Sequence, residues 1–238
     1  RSYSVTGVQT CALPILSGYK ITLIVLIVGT TINVIMTAFC AFLLTRKDYA
    51  FRNVLMYMTL ITMYFGGGML PIYIVIYKWL GLGNSLWALI LPGAVSTYNM
   101  IIMRTNFASI PASLEESAKI DGANDIVILF RIILPLSSAI IAVMVLFYGV
   151  ANWNAWFNAM LYIRDRDKYP LQLILREILI LNNAQTVGNQ GGGGAEVYQV
   201  AETMKYATII VATLPILVVY PYIQKYFISG VMIGAVKG

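Results

Sequence analysis

The chain has no histidine at all and only two cysteines, Cys11 and Cys40, among 238 residues. Lacking histidine, it cannot build a Ser-His-Asp triad, a Cys-His pair, or a zinc or haem site with a histidine ligand. Two cysteines are too few for a disulfide framework or an iron–sulfur cluster. Cys40 sits in an apolar run and reads as a small buried hydrophobe. Charge is scarce as well. Charged residues make up 11% of the chain, against about 25% in an ordinary soluble domain. No segment has the GxxxxGK[ST] spacing of a phosphate loop, because neither Gly66–Gly68 nor Gly191–Gly194 is followed by Lys-Ser or Lys-Thr. No metal or cofactor is expected, and no catalytic residue.

What the chain does have is apolar surface. Hydrophobic residues make up 59%, and the mean hydropathy is +0.78. A soluble globule of this size cannot hide that much apolar side chain. The expected class is therefore an all-α, polytopic membrane protein. A helix needs about 20 apolar residues to cross a bilayer core. Five stretches qualify: 21–44, 54–77, 86–108, 136–163 and 206–226. The second is loosened by Gly66–Gly68 and Pro71, the third by Pro92-Gly93, and the fifth by Pro215 and Pro221. The net charge of +6 is scattered between apolar runs, which reads as solvated loop ends and not as a nucleic-acid surface.

Two further apolar runs are too short to span. Ile126–Leu134 suits an interfacial or buried helix. In 171–181, Leu171, Ile174, Leu175, Ile178, Leu179 and Leu181 share one helical face, with Arg176 and Glu177 on the other. Alternate loops share a side. One side then holds Thr45–Arg52, Thr105–Pro135 and the C-terminal tail, and the other holds Lys78–Ser85 and Arg164–Met204. The basic residues divide almost evenly, with the density in Thr45–Arg52 favouring the first set as the inner side.

All ten acidic residues lie outside the five stretches. Ion-coupled transporters and proton pumps carry intramembrane carboxylates to bind and release the coupling ion. An ion-coupled secondary transporter is thus the disfavoured alternative, and an intramembrane protease fails for want of His or an Asp pair. If the chain moves a solute uphill, the energy must come from another subunit through a docking surface.

Ser109–Ser137 reads SIPASLEESAKIDGANDIVILFRIILPLS. The local signals give two short helices. Ser113 and Glu116 are spaced as a capping box, Gly122 suits a left-handed turn, and Asn124 can cap the second helix, which runs to Pro135. The spacing Glu116-Ser117-Ala118, three residues, Gly122, nine residues, Ile132, one residue, Leu134-Pro135 resembles the EAA loop of ABC importer permeases, with Ser117 the single departure.

The resemblance runs from about residue 17 to the end. Asn152-Trp153-Asn154-Ala155-Trp156-Phe157 is similar to the Trp-Asn element of the sugar-importer branch. The tail from Lys225 to Gly238 is similar to the C-terminus of the smaller permease of maltose-type importers, within the branch associated with complex oligosaccharides. That family has six helices and the type I importer permease fold. Val5–Ile15, VTGVQTCALPI, is similar to the in-frame translation of a sequencing adapter. The expectation is that 1–16, Cys11 and Arg1 included, are not native, and that a first helix is missing.

The resemblance implies a permease subunit of an ATP-driven, solute-binding-protein-dependent sugar importer, working by alternating access. A permease for a non-sugar solute is the near alternative. It implies a second permease, two ATP-binding cassette subunits, an extracytoplasmic solute-binding protein and membrane lipid as partners, in the cytoplasmic membrane of a prokaryote. Glu115, Glu116, Ser117, Ala118, Asp121, Gly122 and Ala123 would dock the ATP-binding subunit, with the small residues allowing close approach. The 164–204 loop would face outward. Tyr98, Asn99, Tyr148, Asn152, Trp153, Asn154, Trp156 and Asn158 are polar or aromatic groups at membrane depth. They could line a sugar path or simply hold helices together.

Overall fold

The computed structural model describes the backbone of residues 3–46, 49–188, 203, 206–207, 209–218 and 221, and side chains from Pro14 onward except over 181–188. Among the described residues every regular element is helical. The chain is organised around α1, Tyr3–Thr45, which is helical throughout and contains Pro14. From Pro14 to Thr45 it is long and apolar enough to cross a membrane. It packs mainly against α5, α9 and α11, and less extensively against α2, α4 and the turn at Arg166–Lys168, all defined below.

Three of the other apolar stretches, 54–77, 86–108 and 136–163, are interrupted, each for a local reason. The 54–77 stretch becomes α2, Arg52–Tyr64, and α3, Met69–Ile74, continued by a π-helical turn over Val75–Trp79. The two halves meet at 114°. Gly66–Gly68 supplies no side chain to hold a helix, and Gly68 takes a φ of 80°. Within 86–108, α4, Trp87–Ile90, passes into a 3₁₀ turn at Leu91–Gly93, and α5, Thr97–Ala108, starts afresh. Pro92 has no N–H to continue the first helix. Ser96 caps the next by accepting from the Asn99 N–H.

The 109–135 segment forms α6, Ala112–Ile120, then α7, Asp125–Ile128, a π turn over Leu129–Ile133, and α8, Leu134–Leu136. It turns by 87° into α9, Ser138–Trp153. The capping box predicted from Ser113 and Glu116 does not form. Pro111 occupies the N-cap, one helix start earlier, with no side-chain cap, because its fixed φ and missing N–H suit that position. Asn124 does cap, accepting from the Val127 N–H at 2.9 Å. α9 stops inside the 136–163 stretch because Asn154 sits at its C-cap and donates from Nδ2 to the Val150 carbonyl at 2.9 Å. Then come α10, Phe157–Tyr162, a 3₁₀ turn at Arg166–Lys168, and α11, Leu171–Gly188. On α11, Leu171, Ile174 and Leu175 of the expected face are buried, Ile178 and Leu179 are half-buried as Arg176 and Glu177 are, and Leu173, outside that face, is buried as well. A last helix, α12, covers Ile209–Val218. Gly191–Gly194 and the tail from Lys225 lie outside the described residues.

Two cores form along α1. At its C-terminal end, Ala38, Ala41, Phe42 and Leu44 pack with Met100, Met103 and Phe107 of α5, Ala118, Ile128, Leu129 and Ile133 of the docking segment, and Met144 and Tyr148 of α9. Nearer its N-terminus, Val25 packs with Leu89, Ile90, Ala159, Ile163 and Leu173.

Candidate functional site: the docking segment and the helices behind it

The turn between α6 and α7 is closed by the Schellman pattern. The Gly122 N–H donates to the Lys119 carbonyl at 3.0 Å and the Ala123 N–H to the Ala118 carbonyl at 2.9 Å. Gly122 sits at φ 80°, and nothing in the chain lies within 4 Å of where its β-carbon would be. Its need for glycine is therefore conformational from inside, and the space beyond it is open.

The predicted docking residues divide into two groups. Glu116, Ser117, Asp121 and Gly122 are exposed, and with them Ile120, 87% exposed. Ala118 faces the other way. It is buried against the chain's own core, and Ala123 is half-buried beside it. Ala118 is thus part of the chain's own core. Glu115 is also turned inward, to the guanidinium of Arg46 at the end of α1. Arg46 Nη2 reaches Asp125 Oδ1 at 3.0 Å, and its guanidinium lies 4.2 Å from the Phe42 ring centroid. One cation therefore touches α6 and α7 on both sides of the Gly122 turn. Sequence reasoning missed it. The available signal was a cation just past the end of the first apolar run, where the helix C-terminus favours positive charge.

The eight path residues do not converge on one cavity. Tyr148 is buried and shares a 2.6 Å hydrogen bond with the Thr37 hydroxyl, while its oxygen accepts from the Ser96 N–H at 2.9 Å. Asn152 Nδ2 donates to Thr30 Oγ1 at 3.2 Å and closely approaches the backbone of α1 at Gly29. Trp153 is buried, tilted against Tyr19 with ring centroids 6.3 Å apart. Trp156 carries the Arg176 guanidinium over its ring at 3.4 Å. Asn99 is buried, whereas Tyr98, Asn154 and Asn158 are exposed. Tyr148, Asn152 and Trp153 thus act in this chain as pins between helices. Their partners Thr30 and Thr37, together with Thr22, whose Oγ1 accepts from the Leu171 N–H at 2.8 Å, recur seven or eight residues apart on α1. That is one helical stripe, legible in the sequence and overlooked.

At the opposite end of the molecule the Lys78–Ser85 loop meets the start of the long loop. Asn84, held at φ 59°, donates from Nδ2 to Asp165 Oδ2 at 2.7 Å and accepts from the Arg164 and Asp165 N–H groups, both at 3.1 Å. Lys168 Nζ reaches the Asn84 carbonyl at 3.1 Å and Asp165 Oδ2 at 2.9 Å. The hydrogen bonds from Lys168 first, then Asn84, hold the Asp165 carboxyl below the usual carboxylate range.

A helical membrane chain carrying a surface-mounted helix pair with an open acidic and apolar face has the form of a transport permease driven from outside itself. The comparisons agree. The chain is 44% identical over 218 residues, 92% of its length and 76% of the relative's, to the polygalacturonan/rhamnogalacturonan transport system permease protein YtcP of Bacillus subtilis (strain 168). It is 43% identical to protein LplC of the same organism, covering 92% and 73% of the two chains. A crystal structure of a bacterial ABC transporter involved in the import of the acidic polysaccharide alginate aligns with TM-score 0.79 and 29% identity, over 90% of this chain and 75% of that one. No protein-family model matches. The chain belongs to the family of ABC transport-system permeases.

Proposed function

We propose that this chain is one permease subunit of an ATP-driven importer of oligosaccharides, working with a solute-binding protein and with ATP-binding subunits that seat on α6. The names of the relatives support a carbohydrate cargo: one moves polygalacturonan or rhamnogalacturonan, and another, an arabinooligosaccharide permease of Halalkalibacterium halodurans, is 28% identical over 89% of this chain. The aromatic and amide groups around α9 suit a solute with apolar C–H faces and many hydroxyls. Hydrolysis of ATP resides in the ATP-binding subunits. Two of these, with a second permease, complete the complex in a prokaryotic cytoplasmic membrane, and the membrane crossings follow the five apolar stretches read from the sequence.

One observation carries the docking reading. Glu116, Ser117, Ile120, Asp121 and Gly122 form an outward face on a helix whose inward face, Ala118, is locked into the core. An 87%-exposed isoleucine between two carboxylates is poorly used against water and well used against a groove with apolar and cationic walls. The face lies at the Thr45–Arg52 end of the molecule, read as cytosolic. Cysteine placed at Glu116 or Ile120, in a Cys40→Ser background, is expected to crosslink to the ATP-binding subunit in whole membranes. Labelling of those cysteines by an impermeant reagent from the cell exterior would overturn the reading.

A further inference from the structure

We propose that Arg46 is the positioning residue through which movement of the docking segment is passed to α1, and along α1 to the far end of the permease. This rests on the docking reading above and adds to it the route by which force leaves the docking helix.

The first ground is connectivity. α6 and α7 are joined by a turn whose own bonds are local. The Arg46 guanidinium bridges that turn, on Glu115 from α6 and on Asp125 from α7. Nη1 donates to Glu115 and fixes the guanidinium on α6, while Nη2 meets Asp125 as an ion pair without a hydrogen bond. The Arg46 side chain is 12% exposed and lies on the Phe42 ring, so solvent screens its pair with Glu115, 21% exposed, less than it would on an open surface, while Asp125 keeps its outer side in water, 65% exposed. Arg104 Nε donates to the Leu44 carbonyl at 3.0 Å, which fastens α5 to the same terminus. Apolar packing of Ala118, Ile128 and Leu129 against α1 also joins the two parts. Such packing is non-directional and permits sliding; the bridged ion pairs fix the register.

The second ground is what lies behind Arg46. α1 is helical without interruption from Pro14 to Thr45, whereas the stretches 54–77, 86–108 and 136–163 are bent or broken. Its buried hydroxyls tie it to α9 at Thr37 and Thr30 and to the start of α11 at Thr22. A displacement at Arg46 therefore reaches α9 through Thr37 and Thr30, and Leu171 at the start of α11 through Thr22.

The test uses the complete importer in liposomes, measuring solute taken up per ATP hydrolysed. Arg46→Gln is expected to lower that ratio by about tenfold or more, the scale of a coupling interaction between sites, with ATP-binding subunits still retained on purification. Arg46→Lys should recover part of the ratio. Arg46→Glu combined with Glu115→Arg and Asp125→Asn should recover more than Arg46→Glu alone. An unchanged ratio in Arg46→Gln overturns the proposal. So does a loss of transport that tracks loss of the ATP-binding subunits, or a failure of the charge-exchanged combination to recover. If the unaltered permease retained no ATP-binding subunit, the docking reading would fall and this inference with it.

Discussion

The two ends of α1 are tied to their surroundings by different chemistry. At the docking end a nearly buried arginine joins two carboxylates from two helices, on top of an apolar core of α1, α5, α6, α7 and α9. At the other end an asparagine in a left-handed turn gathers two backbone N–H groups, a carboxylate and a lysine in an exposed cluster. The first arrangement is anchored on a largely buried Arg46–Glu115 hydrogen bond that solvent screens less. The second is open to water, and water can replace any of its bonds at small cost. A permease that is pushed at one end and receives solute at the other needs this asymmetry: a stiff grip where force enters, and an adaptable joint where a partner must come and go.

The largest expected effect breaks the docking end. Gly122→Asp places a β-carbon at φ 80°, a strain of about 1–2 kcal/mol, and puts a second carboxylate beside Asp121 on the open face. Transport is expected to fall to background while membrane insertion and α1 packing persist. Uptake and protease protection of the same membranes measure the two quantities. Normal uptake would remove the reason to treat the face as a contact.

The middle of the rod comes next. Tyr148→Phe leaves the Thr37 hydroxyl and the Ser96 N–H without the oxygen they share. The loss should be about 1–2 kcal/mol, read as a lowered Tm in detergent. An unchanged Tm would mean that water takes the place of the hydroxyl and that the pin is weaker than its burial suggests.

The same contrast explains what the sequence reveals. The docking turn is legible because its signals are local: Gly122 and Asn124 each do their work within a few residues, so spacing alone exposes them. Helix lengths at membrane depth are less legible. The apolar stretches 54–77, 86–108 and 136–163 satisfy a composition rule, yet Gly68, Pro92 and Asn154 each divide one by a backbone preference that composition does not weigh. Arg46 and Asn84 are hardest to find, because their partners lie about 70 to 80 residues away in the chain and no period links them. Ala118 shows a different confusion. A small residue in a docking motif suggests close approach by a partner, while here Ala118 lies in the chain's own core.

At the opposite end, Asn84→Ala should have a smaller effect on transport and a clear one on local order. Alanine tolerates φ 59° poorly and offers nothing to the Arg164 and Asp165 N–H groups. Faster proteolysis between 164 and 168, with uptake lowered less than in Gly122→Asp, is the expected pair of results. Equal losses at the two sites would erase the proposed asymmetry.

The smallest effect is that of pH on the same clasp. The folded-state pKa of Asp165 lies below its ordinary value, through Lys168 and then Asn84. Because the folded value is the depressed one, the carboxylate's contribution is fully present above the unfolded pKa, about 3.9, and is lost as pH falls through the lower folded value. The clasp therefore holds unchanged from neutral pH down to about pH 5, and loosens only in stronger acid. Proteolysis of the 164–168 segment, followed across that range with an acid-stable protease, should stay flat and then rise, and Asp165→Asn should begin at the raised level and remain pH-independent. A rise already present between pH 7 and 5 would assign the joint to some other group. It would also mean that the adaptable end of the permease is governed by proton concentration under ordinary growth conditions, which the depressed Asp165 carboxyl argues against.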